Sequence, residues 1–165
     1  MKLLRRFFVF IGIVLTAVLL SSCAEQPKIP DISTVLDNNA AIAADGQTYD
    51  CHINYVSPTT AAITFNAPDT IKNMTVRRAD GQYSLSLGSL ICRTDTSLLD
   101  DTSVLMRAVN VLDGITKSQN VQFRSADENK FTFTVGVGND NVTVVTDRKG
   151  AVKNIKASDI QISVK

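Results

Sequence analysis

SVLMRAVNVLDG, residues 103–114, is the stretch on which the fold turns. Val104, Leu105, Ala108, Val111 and Leu112 fall at i, i+1, i+4, i+7 and i+8, the apolar stripe of a helix packing on a sheet. Asp101, Thr102 and Ser103 just before it offer side-chain caps. Gly114 is expected to close the helix as the residue just past its end. This is the clearest helical signal after residue 30, and it separates two long series of short, strand-like runs.

Working outward, the first series alternates in period two. QTYDCHINYV (47–56) puts Tyr49, Cys51, Ile53 and Tyr55 on one face, and QYSLSL (82–87) does the same with Tyr83, Leu85 and Leu87. Between and after them, 59–67, 73–79 and 90–94 read as strands, punctuated by Ser57-Pro58, Pro68-Asp69, Asp80-Gly81 and Gly88. The second series reads as strands over 120–125, 130–137, 142–147, 151–157 and 159–164, with turns at 139–141 and at Asp147–Gly150. Short strands about ten residues apart, with turn signals between them, indicate an antiparallel meander. Asp31 to Asp45, DISTVLDNNAAIAAD, is ambiguous. Ile32, Val35, Leu36 and Ile42 hint at a helical face that Asp31 or Ser33 could cap, against the Asn38-Asn39 pair. The order meander, helix, meander is an α+β plan. One twelve-residue helix is small cover for about nine strands, so the sheet either rolls toward a barrel or leaves an apolar hollow open to a guest.

The N-terminus has a different character. Lys2, Arg5 and Arg6 precede FFVFIGIVLTAVLL (7–20), which holds one polar residue, Thr16. A helix of that length spans about 21 Å, short of the roughly 30 Å hydrocarbon core of a bilayer, so it reads as a signal-peptide core. Leu20-Ser21-Ser22-Cys23 resembles the bacterial lipobox. That resemblance implies cleavage before Cys23 and acylation of its thiol, with palmitate among the chains attached. The competing readings are an ordinary secretory signal in which Cys23 is incidental, and a short uncleaved anchor. Residues 1–22 are thus a lipoprotein signal, 23–30 (CAEQPKIP) a lipidated tether, and 31–165 one domain. The chain is expected in the cell envelope, on the outer face of the cytoplasmic membrane or on the outer membrane of a two-membrane host.

All 16 acids follow residue 22, whereas three of the 17 bases precede it, so the exported part is slightly acidic. That argues against a nucleic-acid partner. Cys51 and Cys92 remain in a chain sent to a space where disulfides can form. A Cys51–Cys92 bridge and a pair of buried thiols are both open. No enzyme constellation emerges. His52, the only histidine, adjoins Cys51 in a strand, and adjacent strand residues point to opposite faces. It reads as a solvent-facing side chain. Asp100-Asp101 reads as a favourable charge at a helix start. Gly136-Val137-Gly138 lacks the helix that a dinucleotide loop needs. One of Arg77 and Arg78 must face inward if the sheet has two sides. No metal site and no cofactor is indicated.

The segment from TYDCHINYV through AITFNAPDTIKNMTVRRADGQYSLSLGSLICR resembles the lipoprotein-carrier superfamily of LolA and LolB. Phe65 and Pro68 stand where the family ends a strand, and Asp80, Gly81 and Tyr83 where the chain returns through a turn. Asp147, Gly150 and Ile155 stand in the order of the family's closing hairpin. The resemblance covers residues 47–165. It implies a strongly curved antiparallel sheet, an incomplete β-barrel, with one main amphipathic helix and an optional short N-terminal helix on its concave face. It also implies a non-enzymatic protein that binds a lipid, an acyl chain or a lipidated partner, with Val104, Leu105, Ala108, Val111 and Leu112 as the contact helix. The partners expected are therefore the membrane, through the N-terminal lipid, and lipid or lipoprotein acyl chains, with the protein itself a monomer. The alternative is a tethered interaction or sensory domain whose helix fills the core. A third class, an envelope hydrolase, lacks a nucleophile–base pair.

Overall fold

The computed structural model describes residues 29–94 and 103–165. The stretch expected to be a signal segment, the expected lipidation residue Cys23 and Asp100–Thr102 lie outside the described residues. Eleven strands form one antiparallel sheet: β1 Leu36–Ala44, β2 Gln47–Ser57, β3 Thr60–Phe65, β4 Met74–Ala79, β5 Gln82–Leu87, β6 Leu90–Thr94, β7 Val121–Asp127, β8 Lys130–Val137, β9 Asp140–Asp147, β10 Val152–Lys156 and β11 Ile160–Val164. Among the described residues one α-helix, α1, spans Val104–Lys117 between β6 and β7, and Asp69–Ile71 forms a 3-10 turn.

The order across the sheet is β6-β5-β4-β3-β2-β1-β11-β10-β9-β8-β7. Every chain neighbour pairs with the next, except that the helix joins the two outermost strands and that β1 and β11 meet in the middle. The sheet is strongly curved and does not close. Both meanders therefore read correctly from the sequence, as does the α+β half-barrel.

Alternation in the strands produces the two faces. β3 buries Ala61, Ile63 and Phe65, and β8 buries Phe131, Phe133 and Val135. The helix lies against this inner face and touches β8, β11 and β1. Leu112 and Ala108 are fully covered and belong to one core cluster with Ile42, Ile162 and Val144 from the sheet. Full burial of a side chain such as Leu112 stabilises by about 1.5–3 kcal/mol.

Two expectations need correction. The hinted N-terminal helix is strand β1: Leu36, Ala40, Ile42 and Ala44 are buried at even positions, and β1 pairs with β2 from Leu36↔Tyr55 to Ala44↔Gln47. Partners on both sides, β2 and β11, outweigh any helical preference of its alanines. The second correction concerns Gly114, which does not end the helix. The helix continues to Lys117, and Ser118 follows it. Gly114 is required instead by close approach, since a Cβ there would lie 2.1 Å from Val137 Cγ1. At the other end Ser103 is the cap, with its hydroxyl accepting from the Met106 N–H at 3.3 Å.

Candidate functional site

The helix is fixed to the sheet by charge at both ends. Near its start, Arg107 reaches across to Asp45 in the β1–β2 turn and to Asp159 in the β10–β11 turn, the latter at 3.1 Å. Towards its end, Asp113 takes both arms of the Arg78 guanidinium at 2.8 Å each. Arg78 comes from β4 and is 6% exposed, so it is the inward member of the Arg77-Arg78 pair. Burial opposes its charge, but the Asp113 carboxylate more than offsets this and holds its pKa above the ordinary value. Tyr55 donates to the same carboxylate at 2.9 Å. Burial foremost, with the neighbouring carboxylate, pushes the Tyr55 phenol up to about 12.

The polar chain continues outward. Thr116 lies 3.2 Å from the Tyr55 hydroxyl and shares a 2.7 Å hydrogen bond with Thr34. Thr34 and Thr116 then line a half-open groove of about 460 Å³. Its other walls are Ile29–Ile32 from the entering chain, Ile115 and Ser118 from the end of the helix, Val121 and Phe123 from edge strand β7, and Phe133 from β8. The three elements converge for local reasons. A bulge between Phe123 and Ser125 bends β7, and the Phe123 ring meets Phe133 edge-on with centroids 6.1 Å apart. The entering chain is pinned where the Ser33 N–H donates to the Gly150 carbonyl at 2.9 Å. Gly150 has φ +86°, and a Cβ there would lie 2.0 Å from the Asp31 carbonyl oxygen, so no other residue fits.

The helix residues expected to contact a guest are placed differently. Leu105, Ala108 and Leu112 are packed into the core, and Val104 and Val111 are half-buried against it. The void between Leu105, Val109 and the β3–β4 floor is only about 10 Å³, too small to seat an acyl chain. The hollow lies instead at the helix's last turn. Sequence reasoning missed Ile115, Thr116, Val121, Phe123 and Phe133 as a group, because only the fold brings strands β7 and β8 to the helix end. The readable signal was only the period-two placing of Val121 and Phe123 in the strand-like run 120–125.

The cysteines are not bridged. Cys51 is buried in β2 and Cys92 is exposed in β6, four strands away. At about 4.8 Å per strand that is roughly 19 Å along the sheet, against a limit of about 7 Å between bridged Cα atoms. Burial pushes the Cys51 thiol up to about 12. His52 faces outward, within 2.9 Å of Asp37 and 3.3 Å of Asn39. Among the described residues no group of three His, Cys, Asp or Glu side chains is placed to hold a metal ion, and no helix is long and apolar enough to cross a membrane.

The architecture is that of an open antiparallel half-barrel plugged by one helix. No family model matches the chain, and no curated relative does. Among solved structures, the chain is similar to the crystal structure of a LolA superfamily protein from Nitrosomonas europaea, at 11% identity over 86% of this chain and 88% of that one, with a TM-score of 0.42.

Proposed function

We propose that the chain is a membrane-anchored, non-enzymatic envelope lipoprotein that binds an acyl chain, free or on a lipidated partner, in the groove beside the end of α1. The observation that carries this reading is the groove itself. Its volume of about 460 Å³ lies within the roughly 300–1,000 Å³ of small-molecule sites. Ile32, Ile115, Val121, Phe123 and Phe133 give it apolar walls, and the hydrogen-bonded Thr34–Thr116 pair gives it a polar side. The lipobox-like Cys23 and the sequence resemblance to lipoprotein carriers point the same way.

A tethered protein-interaction or sensory domain is the second reading. It is favoured by the filled space beneath the helix, about 10 Å³.

Two measurements test the first reading. Cells fed labelled palmitate should label the chain and fail to label Cys23→Ser. A fluorescent fatty acid should bind the exported domain and be lost from a Val121→Ser/Phe123→Ser variant that still folds. A fluorescent fatty acid ignored by the native domain would leave the second reading standing.

A further inference from the structure

The groove and the tether share a rim. Ile29 is the first described residue and is itself a wall of the groove, beside Val121 and Phe123. These three apolar side chains are 48%, 45% and 41% exposed, at the one place where the chain enters the domain. The entering chain is tied to the domain at Ser33, by the Ser33–Gly150 hydrogen bond and the parallel pairing of Ser33 with Ala151. Ile29 is six residues on from Cys23, so even a fully extended tether holds the rim within about 20 Å of an acylated cysteine. Lys117, between the groove residues Thr116 and Ser118, is exposed, and the groove wall holds one acid, Asp31, whereas Arg124 turns to the other face of the sheet and donates to Thr134 at 2.9 Å.

From these observations we infer that the rim formed by Ile29, Val121 and Phe123 is a membrane-contact surface, and that the domain sits with its groove opening onto the bilayer in which it is anchored. The inference rests on the lipid anchor proposed above and adds an orientation to it. Three exposed apolar residues at the mouth match the apolar side of a bilayer interface. The competing apolar tip, Leu87, Leu90 and Ile91 at the β5–β6 hairpin, belongs to the opposite edge of the sheet. The tether does not leave from there. With the mouth on the bilayer, an acyl chain passes between leaflet and groove without crossing water.

The chain contains no tryptophan, so a single introduced one reports its own position. The full lipidated chain carrying Phe123→Trp is placed in vesicles of phosphatidylethanolamine and phosphatidylglycerol, with and without lipids brominated along the acyl chains. Val121→Trp is the second rim reporter, and Leu90→Trp reports the far edge. The expected result is blue-shifted emission from both rim reporters, with most of it lost to brominated lipid, and an unshifted, unquenched signal from Leu90→Trp. Unquenched rim reporters on protein that sediments with the vesicles overturn the orientation and leave the anchor intact. Protein that stays in the supernatant overturns the anchor and the orientation together. A blue shift that needs no vesicles and grows with protein concentration assigns the rim to a second copy of the chain and overturns the membrane reading.

Discussion

The Arg78 guanidinium on β4 and the Asp113 carboxylate on α1 meet through two 2.8 Å hydrogen bonds under the helix of the half-barrel. Their side chains are 7% and 15% exposed, so the pair is largely withdrawn from water. Arg78 Nε has no partner among the described residues, which adds to the cost of burying the ion. A pair of this kind adds little net stability over apolar residues of the same size, but it is expensive to break from one side. Asp113→Ala should therefore cost about 3–5 kcal/mol. Arg78→Met with Asp113→Leu should cost far less than the two single changes added together. Urea unfolding of the four proteins in a double-mutant cycle measures this.

Gly114 faces Val137 across the helix–sheet contact. Alanine in place of a mid-helix glycine normally gains up to about 1 kcal/mol. Here the new methyl would lie 2.1 Å from Val137 Cγ1, and overpacking costs about 1–3 kcal/mol. Gly114→Ala should thus lower the unfolding midpoint, and adding Val137→Ala should recover much of the loss. A Gly114→Ala protein more stable than the parent would contradict the close approach.

The thiols give a solution check on the sheet order. In a chain beginning after Cys23, a thiol reagent should titrate Cys92 alone in the native state and both cysteines after unfolding in urea. A bridged pair would titrate neither until reduced. Cys51 also sets a pH dependence. Its folded pKa of about 12 lies above the ordinary 9.0, so the folded state holds that proton more tightly than the unfolded one. The resulting stability is whole below pH 9 and is lost as pH rises towards 12. Tyr55 acts in the same direction between 10.0 and about 12. Unfolding midpoints should fall steeply across this alkaline window, and less steeply in Cys51→Ala.

Ligand length tests the groove. Each buried methylene is worth about 0.8 kcal/mol, so affinity for saturated fatty acids should rise about fourfold per methylene. The rise should stop once the groove is full. A titration series by fluorescence displacement shows the slope and its plateau. Affinity independent of chain length would mean that the headgroup alone is recognised.

Much of this was legible in the sequence, and the failures have physical causes. The meanders were readable because turn residues and period-two alternation act locally. The helix was readable because its stripe repeats over three turns. Strand β1 was obscured because two of its three inward residues beyond Leu36 are alanines, Ala40 and Ala44, too small to announce a face. The helix end was misplaced because a glycine chosen for close packing has the same letter as one chosen for a cap. Arg78 could be suspected of facing inward from strand parity, but its partner Asp113 lies 35 positions along the chain. The groove is the least legible feature. Its walls come from four separate stretches, Ile29 to Thr34, Ile115 to Ser118, Val121 with Phe123, and Phe133, and only the fold assembles them.

The most direct test of acyl binding is native mass spectrometry of residues 24–165, purified without detergent and incubated with phospholipid, with the denatured protein as reference. The account predicts a bound mass that disappears on denaturation, runs as lipid, and is lost from Val121→Ser/Phe123→Ser. The bare chain mass in every native spectrum would contradict it and leave the protein-interaction reading to be tested.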